Sequence, residues 1–345
     1  MAGLLRALRV LGPSHLWRLR KARDLATPIE RGFFATRVIQ CLFNVGFLDQ
    51  ISARGFVDLS AFARENNLDA RILRLLCDYL YALNFLEKDG DRFLPGKNAA
   101  ILIETLRGSF DIIYAYEDLF HNLDALLRKE KAYGEAVKRR EEFVGKGSGQ
   151  TAKLLPFPLT IDLIKRNGFS KVLDLGCGDG EFLVSLCKEG RGFRGYGVDL
   201  SQEVVVLARG RLLREGLADR VEIIVGDIFQ LKEVQEKVGK PDVATAFYVL
   251  HEFLWSGRQR VIDLLRQFRE VFPGVSLIAC EITQLQPEDF RKKPSLILEH
   301  HLFHDLSQQG SIPREEWKRI FSASGFRLTE EYRLDFSEMS IFHLI

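Results

Sequence analysis

The sequence predicts an α/β fold whose larger part is a mostly parallel β-sheet covered by helices. From Val172 onward, short apolar segments alternate with amphipathic segments of helical length, which is typical of parallel strands joined by crossover helices. A glycine-rich turn follows the first of these strands. The last two apolar segments, 327–334 and 339–344, have no helix between them, so we expect a C-terminal antiparallel hairpin. This is a Rossmann-like arrangement.

Composition limits the classes of function. The chain has 345 residues, enough for two domains, and its 49 basic and 47 acidic residues give a net charge of +2. This balance predicts no nucleic-acid partner and no anionic membrane. No apolar run approaches the ~20 residues of a membrane span. The five cysteines show no pairing or metal-type spacing, and Arg6 and Arg9 interrupt any signal-peptide core, so we expect a cytoplasmic protein.

The first part of the chain divides into a basic arm, residues 1–27, and a mainly helical domain, residues 28–100. Gly12-Pro13 breaks the arm, so an ordinary helix or frayed extension is favoured over an amphipathic surface-binding arm. The domain then has a predicted helix from Phe33 to Phe47.

Two shorter helices and a ribbon follow. Asp58 and Asp69 are positioned to cap helices at 61–66 and 70–83, and the apolar segments around Asp89-Gly90 predict a tight two-stranded ribbon. Three helices followed by a ribbon predict a winged helix.

A winged helix raises the possibility of a DNA-binding regulator. The third helix, 70–83, carries Arg71 and Arg74, which Asp69 and Asp78 oppose. A helix that reads a DNA groove is expected to be more basic. We therefore favour a role for this domain other than DNA binding.

Residues 101–150 are predicted to be a helical connector that ends in a flexible loop, Gly145–Gly149, and residues 151–345 to be the α/β domain. No apolar strand precedes that loop, and its lysine, Lys146, is the second residue of the loop, whereas the lysine of a phosphate-binding loop follows the last glycine. A phosphate-binding loop is therefore disfavoured.

The glycine-rich turn is the predicted cofactor site. The strand Val172–Leu175 leads into Gly176, Gly178 and Gly180, and a helix begins at Glu181. A dinucleotide-binding fingerprint has glycine at its sixth position, and this chain has Glu181 there. The carboxylates of Asp174, Asp179 and Glu181 would repel a pyrophosphate and favour a cation. S-adenosylmethionine (SAM), a sulfonium without phosphate, fits these requirements.

Two later strands end in acidic residues at matching positions. Asp199 ends the second strand, 23 residues after Gly176, where such folds place a ribose-binding carboxylate. The third strand, 221–225, is followed by Gly226 and Asp227, which we expect to meet the adenine edge.

This ordered set resembles the class I SAM-dependent methyltransferase family over residues 151–345. The resemblance implies that the cofactor residues are Asp174, Gly176, Gly178, Gly180, Asp199, Leu200, Asp227 and Ile228. It also implies a small-molecule acceptor. In O-methyltransferases of this family the N-terminal domain is a dimerisation module, so we expect a homodimer through residues 28–100.

The segment after the fourth strand carries the predicted catalytic residue. In the family's O-methyltransferases the histidine of Leu-His-Asp-Trp is the general base, and His251 matches it, with Glu252 and Phe253 in place of Asp and Trp. A zincin motif is excluded because Trp255 stands at the position of the second ligand. Glu281, at the end of strand five, is positioned to orient a group in the pocket.

A histidine-rich segment, 298–305, is the second candidate for chemistry. The chain resembles bacterial 2-oxo-acid C-methyltransferases in a series of motifs: 251–255, 271–274, His304-Asp305, Pro313 and Glu316-Trp317. The resemblance implies that two histidines, His251 and His304, hold an iron ion that chelates the substrate. The expected metal is iron or another transition metal. The sequence leaves open C-methylation of a 2-oxo acid, with this metal, and O-methylation of a phenol or other hydroxyl, with His251 as base.

Overall fold

The computed structural model describes residues 9–97, 99–292, 295, 297–334 and 337–345. The first eight residues of the predicted arm, including Arg6, lie outside this set. The chain divides into two compact units, Met1–Leu106 and Arg107–Ile345.

The first unit is mainly helical, as predicted. Its elements are α1 (Pro13–Asn44), α2 (Phe47–Arg54), β1 (Val57–Asp58), α3 (Leu59–Glu65), α4 (Ala70–Ala82), β2 (Leu86–Asp89), β3 (Arg92–Pro95) and α5 (Ala99–Thr105). The strands form an antiparallel sheet in the order β1-β3-β2, and Gly90, with φ of 60°, turns between β2 and β3. The predicted ribbon is confirmed, as are the caps at Asp58 and Asp69. The winged-helix assignment stays a prediction.

Helix α1 corrects the prediction of a helix that begins at Phe33. It begins at Pro13, where a proline suits the first helical turn, and it continues through Pro28 to Asn44. Its buried residues are all in the last turns, at Ile39, Gln40, Leu42 and Phe43. Apolar periodicity reports burial, so the pattern revealed only this end of the helix.

The second unit begins with helices α6 (Arg107–Ala115), α7 (Glu117–His121), α8 (Leu123–Leu127), α9 (Glu141–Lys153) and α10 (Pro156–Arg166). The predicted loop at Gly145–Gly149 is wrong, because these residues lie inside α9. Helices α6 and α9 cross closely at Gly108 and Gly147. A Cβ atom on Gly147 would lie 2.7 Å from the carbonyl oxygen of Gly108. The glycines therefore allow two helix backbones to touch, which the loop interpretation missed.

Strands and helices then alternate. The elements are β4 (Lys171–Leu175), α11 (Glu181–Lys188), β5 (Arg194–Asp199), α12 (Gln202–Glu215), β6 (Val221–Val225), α13 (Leu231–Val238), β7 (Val243–Phe247), a 3₁₀ helix (Leu250–Ser256), α14 (Arg258–Val271), β8 (Ser276–Ile282), α15 (Pro287–Phe290), α16 (Ile297–Leu306), α17 (Arg314–Ala323), β9 (Leu328–Leu334) and β10 (Met339–Leu344).

The seven strands form one sheet in the order β6-β5-β4-β7-β8-β10-β9. The first five are parallel, and β10 pairs antiparallel with both β8 and β9. The predicted sheet and its C-terminal hairpin are confirmed. Successive residues of β4 pack into different hydrophobic cores, Leu173 on one face of the sheet and Val172 on the other. The sheet is therefore covered on both faces. None of the described helices is both long and apolar enough to span a membrane.

Candidate active site

A cavity of about 570 Å³ opens at the carboxyl ends of strands β4 to β7. This is where ligands bind in open parallel sheets, because the loops after the strands converge there. All of the predicted cofactor residues except Gly180 line the cavity. Gly180 instead precedes α11 in a left-handed conformation, and a Cβ atom there would lie 3.5 Å from Ala208.

The turn after β4 is shaped by glycine. Gly176 and Gly178 have φ of 68° and 54°, in the left-handed region that residues with a Cβ atom seldom adopt. A Cβ atom on Gly176 would also meet the side chain of Val249 at 2.5 Å. The turn therefore requires glycine to bring its backbone to the cavity surface.

The carboxylate of Asp199 is fixed by the turns on either side of it. Its Oδ2 accepts a hydrogen bond from the Gly178 amide and its Oδ1 accepts one from the Ser201 amide, each at 3.0 Å. Asp227 is held similarly, since its Oδ1 accepts from the Phe229 amide at 2.8 Å. Both carboxylates reach the cavity in fixed orientations, which is the preorganisation that specific binding of hydroxyl or amino groups needs.

The three carboxylates around the turn all have partners within the protein. Asp179 and Glu181 both pair with Arg211, and Glu181 also pairs with Lys153 at 2.9 Å. Asp174 is buried beneath the turn and accepts a hydrogen bond from Thr245 at 2.7 Å. Burial raises the pKa of Asp174 to about 7, with a smaller contribution from Asp199. The local charge that favours a cation is therefore weaker than the sequence predicts.

Helix α9 provides a wall of the cavity that the sequence analysis missed. Gly145, Ser148, Gly149 and Ala152 all line it. These small residues stand at i, i+3, i+4 and i+7, the spacing of one helix face, and this signal was available in the sequence. Arg139 and Phe229 also border the cavity and were not predicted.

His251 lies in the 3₁₀ helix after β7 and is paired with a buried carboxylate. Its Nδ1 lies 2.8 Å from Oε2 of Glu281, whose Oε1 accepts from the Leu250 amide at 2.7 Å. Burial lowers the pKa of His251, but the Glu281 carboxylate more than offsets this, so the pKa lies above its ordinary value. Glu281 therefore fixes the imidazole and leaves Nε2 for other contacts.

The structure brings His304 beside His251. The two ring centroids are 4.9 Å apart, although the residues belong to α16 and the 3₁₀ helix. Burial, with a smaller contribution from His251, lowers the pKa of His304 well below its ordinary value, so the ring is neutral near pH 7. His300 is 5.6 Å from His304 between centroids, and burial lowers its pKa to about 4.

Neither His251 nor His304 borders the cavity itself. Between them and the cavity lies a polar network centred on Glu252, which accepts from Arg139 at 2.9 Å and from Gln309 at 2.9 Å. Glu252 Oε1 is 4.0 Å from Nε2 of His251. Tyr116 joins the network through Arg139 and Gln309. Glu252 therefore connects the histidine pair to the cavity.

The two histidines have the chemistry of metal ligands. Both rings are buried, one is neutral, and imidazole nitrogen suits iron, zinc or copper. Within the described part of the chain, no group of three or more His, Cys, Asp or Glu side chains could hold a metal ion. An ion held by this pair would thus take its remaining ligands from substrate or water.

Comparison with known proteins identifies the family. The family described as "Methyltransferase domain" matches residues 108–331, which is most of the second unit. The chain belongs to this methyltransferase family. Together with the glycine turn and Asp199, this makes it a SAM-dependent methyltransferase.

Relatives match most of the chain. A 2-ketoarginine methyltransferase of Streptomyces arginensis is 26% identical over 309 residues, covering 86% of this chain and 87% of the relative. Methyltransferase ungE' of Aspergillus campestris is 21% identical over 332 residues, covering 92% and 96%. The structure of human N-acetylserotonin methyltransferase with SAM has a TM-score of 0.66 at 18% identity, covering 94% and 97%. This last likeness shows the shared fold.

Proposed function

We propose that this methyltransferase transfers the SAM methyl group to carbon in a small 2-oxo acid. The adjacency of His251 and His304, with ring centroids 4.9 Å apart, is the observation that carries this proposal. The similarity to the 2-ketoarginine methyltransferase of S. arginensis supports the proposal, because 2-ketoarginine is a 2-oxo acid. A cavity of about 570 Å³ is in the usual size range for small-molecule ligands.

We assign SAM to the predicted cofactor residues. Asp199 accepts hydrogen bonds from the ribose hydroxyls, and Asp227 with Ile228 meets the adenine. Phe229 closes the adenine end of the cavity. Its ring centroid lies 4.8 Å from that of Phe253 and 4.1 Å from Cζ of the Arg260 guanidinium. The Gly176–Gly180 turn supports the methionyl part.

The reaction consists of deprotonation and displacement. The β-carbon of the 2-oxo acid gives a proton to the carboxylate of Glu252, which lines the cavity, and the resulting enolate carbon bonds to the methyl group. The sulfur leaves with the electron pair of the broken bond, as S-adenosylhomocysteine. His251 and His304 would hold a transition-metal ion, which would supply Lewis-acid stabilisation of the negative charge that develops on the substrate. Glu281 fixes the orientation of His251 for this role, and Arg139 fixes Glu252 beside it.

O-methylation is the second candidate, and the bond between His251 and Glu281 favours it. A histidine whose Nδ1 is held by a carboxylate can accept the proton of a hydroxyl acceptor at Nε2, while the carboxylate stabilises the imidazolium. In this reaction His251 is the catalytic base and no metal is needed.

Release of S-adenosylhomocysteine from a panel of acceptors tests the choice. We expect turnover with 2-oxo acids that carry a β-hydrogen and none with matched 2-oxo acids that lack one. Turnover restricted to phenols would establish the O-methyltransferase function instead. The DNA-binding alternative predicts a salt-sensitive, sequence-selective gel shift, which we do not expect.

We also propose a homodimer formed through residues 28–100. The first unit exposes large apolar side chains that a partner copy would cover, including Ile29, Phe33, Phe34, Ile72 and Leu75. A dimeric mass at micromolar concentration is expected, and a monomeric mass would contradict this assembly.

A further inference from the structure

Three glycines in α9 face different surroundings. Gly147 is required by packing, because a Cβ atom there would lie 2.7 Å from the Gly108 carbonyl oxygen and 2.9 Å from the Ile112 amide nitrogen. A Cβ atom on Gly149 would lie 3.3 Å from Asp179 Oδ1, which is closer than ordinary van der Waals contact. Gly145 differs from both, since the nearest atoms to its Cβ position, on Asp179 and Val204, are 4.0 Å away.

The protein's own structure gives Gly145 no reason to be glycine. It lies inside a helix, where glycine is much less favourable than alanine, and its φ is not in the left-handed region. An alanine methyl group would fit against Asp179 and Val204 at van der Waals distance. A glycine at such a position makes the helix less stable than alanine would, and we expect it only where another molecule occupies the space beside it.

The space in front of Gly145 belongs to the cavity. Gly145 lines it beside the glycine turn, and its Cα atom would lie 3.9 Å from a Cβ atom on Gly178. The Gly178 amide donates to the Asp199 carboxylate, and Val204 lies in the first turn of α12, where its amide donates to the N-cap Ser201. The opening beside Gly145 is thus bounded by the residues assigned to the ribose and the methionyl part of SAM.

We infer that Gly145 is a cofactor-contact position, at which the backbone of α9 approaches the ribose and methionyl side of bound SAM too closely for a Cβ atom. This inference rests on the proposed placement of SAM in the cavity. It makes α9 one wall of the cofactor site, next to the glycine turn. It also predicts that stability and cofactor affinity change in opposite directions at this residue.

The test compares Gly145→Ala with Gly210→Ala as a matched control. Gly210 is inside α12, does not line the cavity, and its Cβ position meets only the flexible end of Arg214, at 3.5 Å. Without cofactor, both variants should raise Tm by roughly 2 to 3 °C through helix propensity. By calorimetry, Gly145→Ala should weaken binding of SAM and of S-adenosylhomocysteine by about tenfold or more, whereas Gly210→Ala should bind both as the wild type does.

Three outcomes overturn the inference. Wild-type affinity for both nucleosides in Gly145→Ala would show that SAM does not approach α9 here. A raised KM for the acceptor with unchanged SAM affinity would assign the space to the acceptor. A Tm below that of the wild type would show that the space is not free in the protein itself. Failure of the wild type to bind SAM would instead contradict the cofactor placement, so the two failures are distinguishable.

Discussion

Nδ1 of His251 and Oε2 of Glu281 lie 2.8 Å apart, and the Glu281 side chain is fully buried. The pair joins the 3₁₀ helix after β7 to the end of β8, so a fully buried carboxylate fixes the orientation of the His251 imidazole. Removing the carboxylate charge should therefore affect turnover more than cofactor binding.

Glu281→Gln tests this role. Glutamine can still accept the hydrogen bond from the Leu250 amide, but it removes the negative charge beside His251. We expect kcat to fall by about 10- to 100-fold, because loss of the hydrogen-bonding partner of a metal-ligating histidine typically costs that much in metal affinity or activity. The Kd for SAM should stay within about twofold of the wild type. A kcat equal to the wild type would show that the pair has no part in the reaction.

Asp199→Asn tests the cofactor assignment. The amide group retains the size of the side chain but removes the charged acceptor, and charged hydrogen bonds contribute about 1.5–3 kcal/mol each. Calorimetry should show SAM binding weaker by about 10- to 100-fold. Asp263→Asn, an exposed change in α14, is the control and should bind SAM normally. Unchanged affinity in Asp199→Asn would place the ribose elsewhere.

Asp174 should make stability depend on pH. Its folded-state pKa of about 7 lies above the unfolded value of 3.8, so the folded protein binds the proton more tightly. Stability from this group is fully present below about pH 4 and is lost as pH rises toward 7. Asp174→Asn removes this dependence while its amide oxygen can still accept from Thr245. Relative to the wild type, the variant's free energy of unfolding without cofactor should therefore rise between pH 5 and pH 8; a constant difference would contradict this.

Metal content tests the histidine pair. Protein purified without an affinity tag should contain a stoichiometric transition metal, and His304→Ala should lose it. His343→Ala is the control, because His343 lies on β10 beside Phe169, at 6.2 Å between ring centroids. Absence of metal from the wild type, together with full activity in chelator and in His304→Ala, would leave the general-base mechanism.

Much of the fold could be predicted because periodicity and glycine placement encode it. The strands 221–225 and 339–344 have the predicted bounds, and Glu181 begins its helix as predicted. The adjacency of His251 and His304 was expected only from resemblance. Nothing in the sequence indicates how near two rings on separate elements will lie.

The errors have a common cause, which is that local patterns do not report long-range partners. Gly145–Gly149 was interpreted as a loop because glycine disfavours helices. The neighbours that explain Gly147 and Gly149, which are the Gly108 backbone and the Asp179 side chain, are distant in sequence. The charges of Asp179 and Glu181 were misjudged because Arg211, which pairs with both, is about 30 residues away.

Transfer of a labelled methyl group tests the proposed function most directly. The purified enzyme is incubated with SAM carrying a ¹³C-methyl group and a 2-oxo acid that has a β-hydrogen, and the product is examined by NMR. We predict a ¹³C-methyl signal coupled to the β-carbon, with formation of one S-adenosylhomocysteine per product. A label found only on the oxygen of a hydroxyl acceptor, with no carbon-methylated product from any 2-oxo acid, would contradict the proposal.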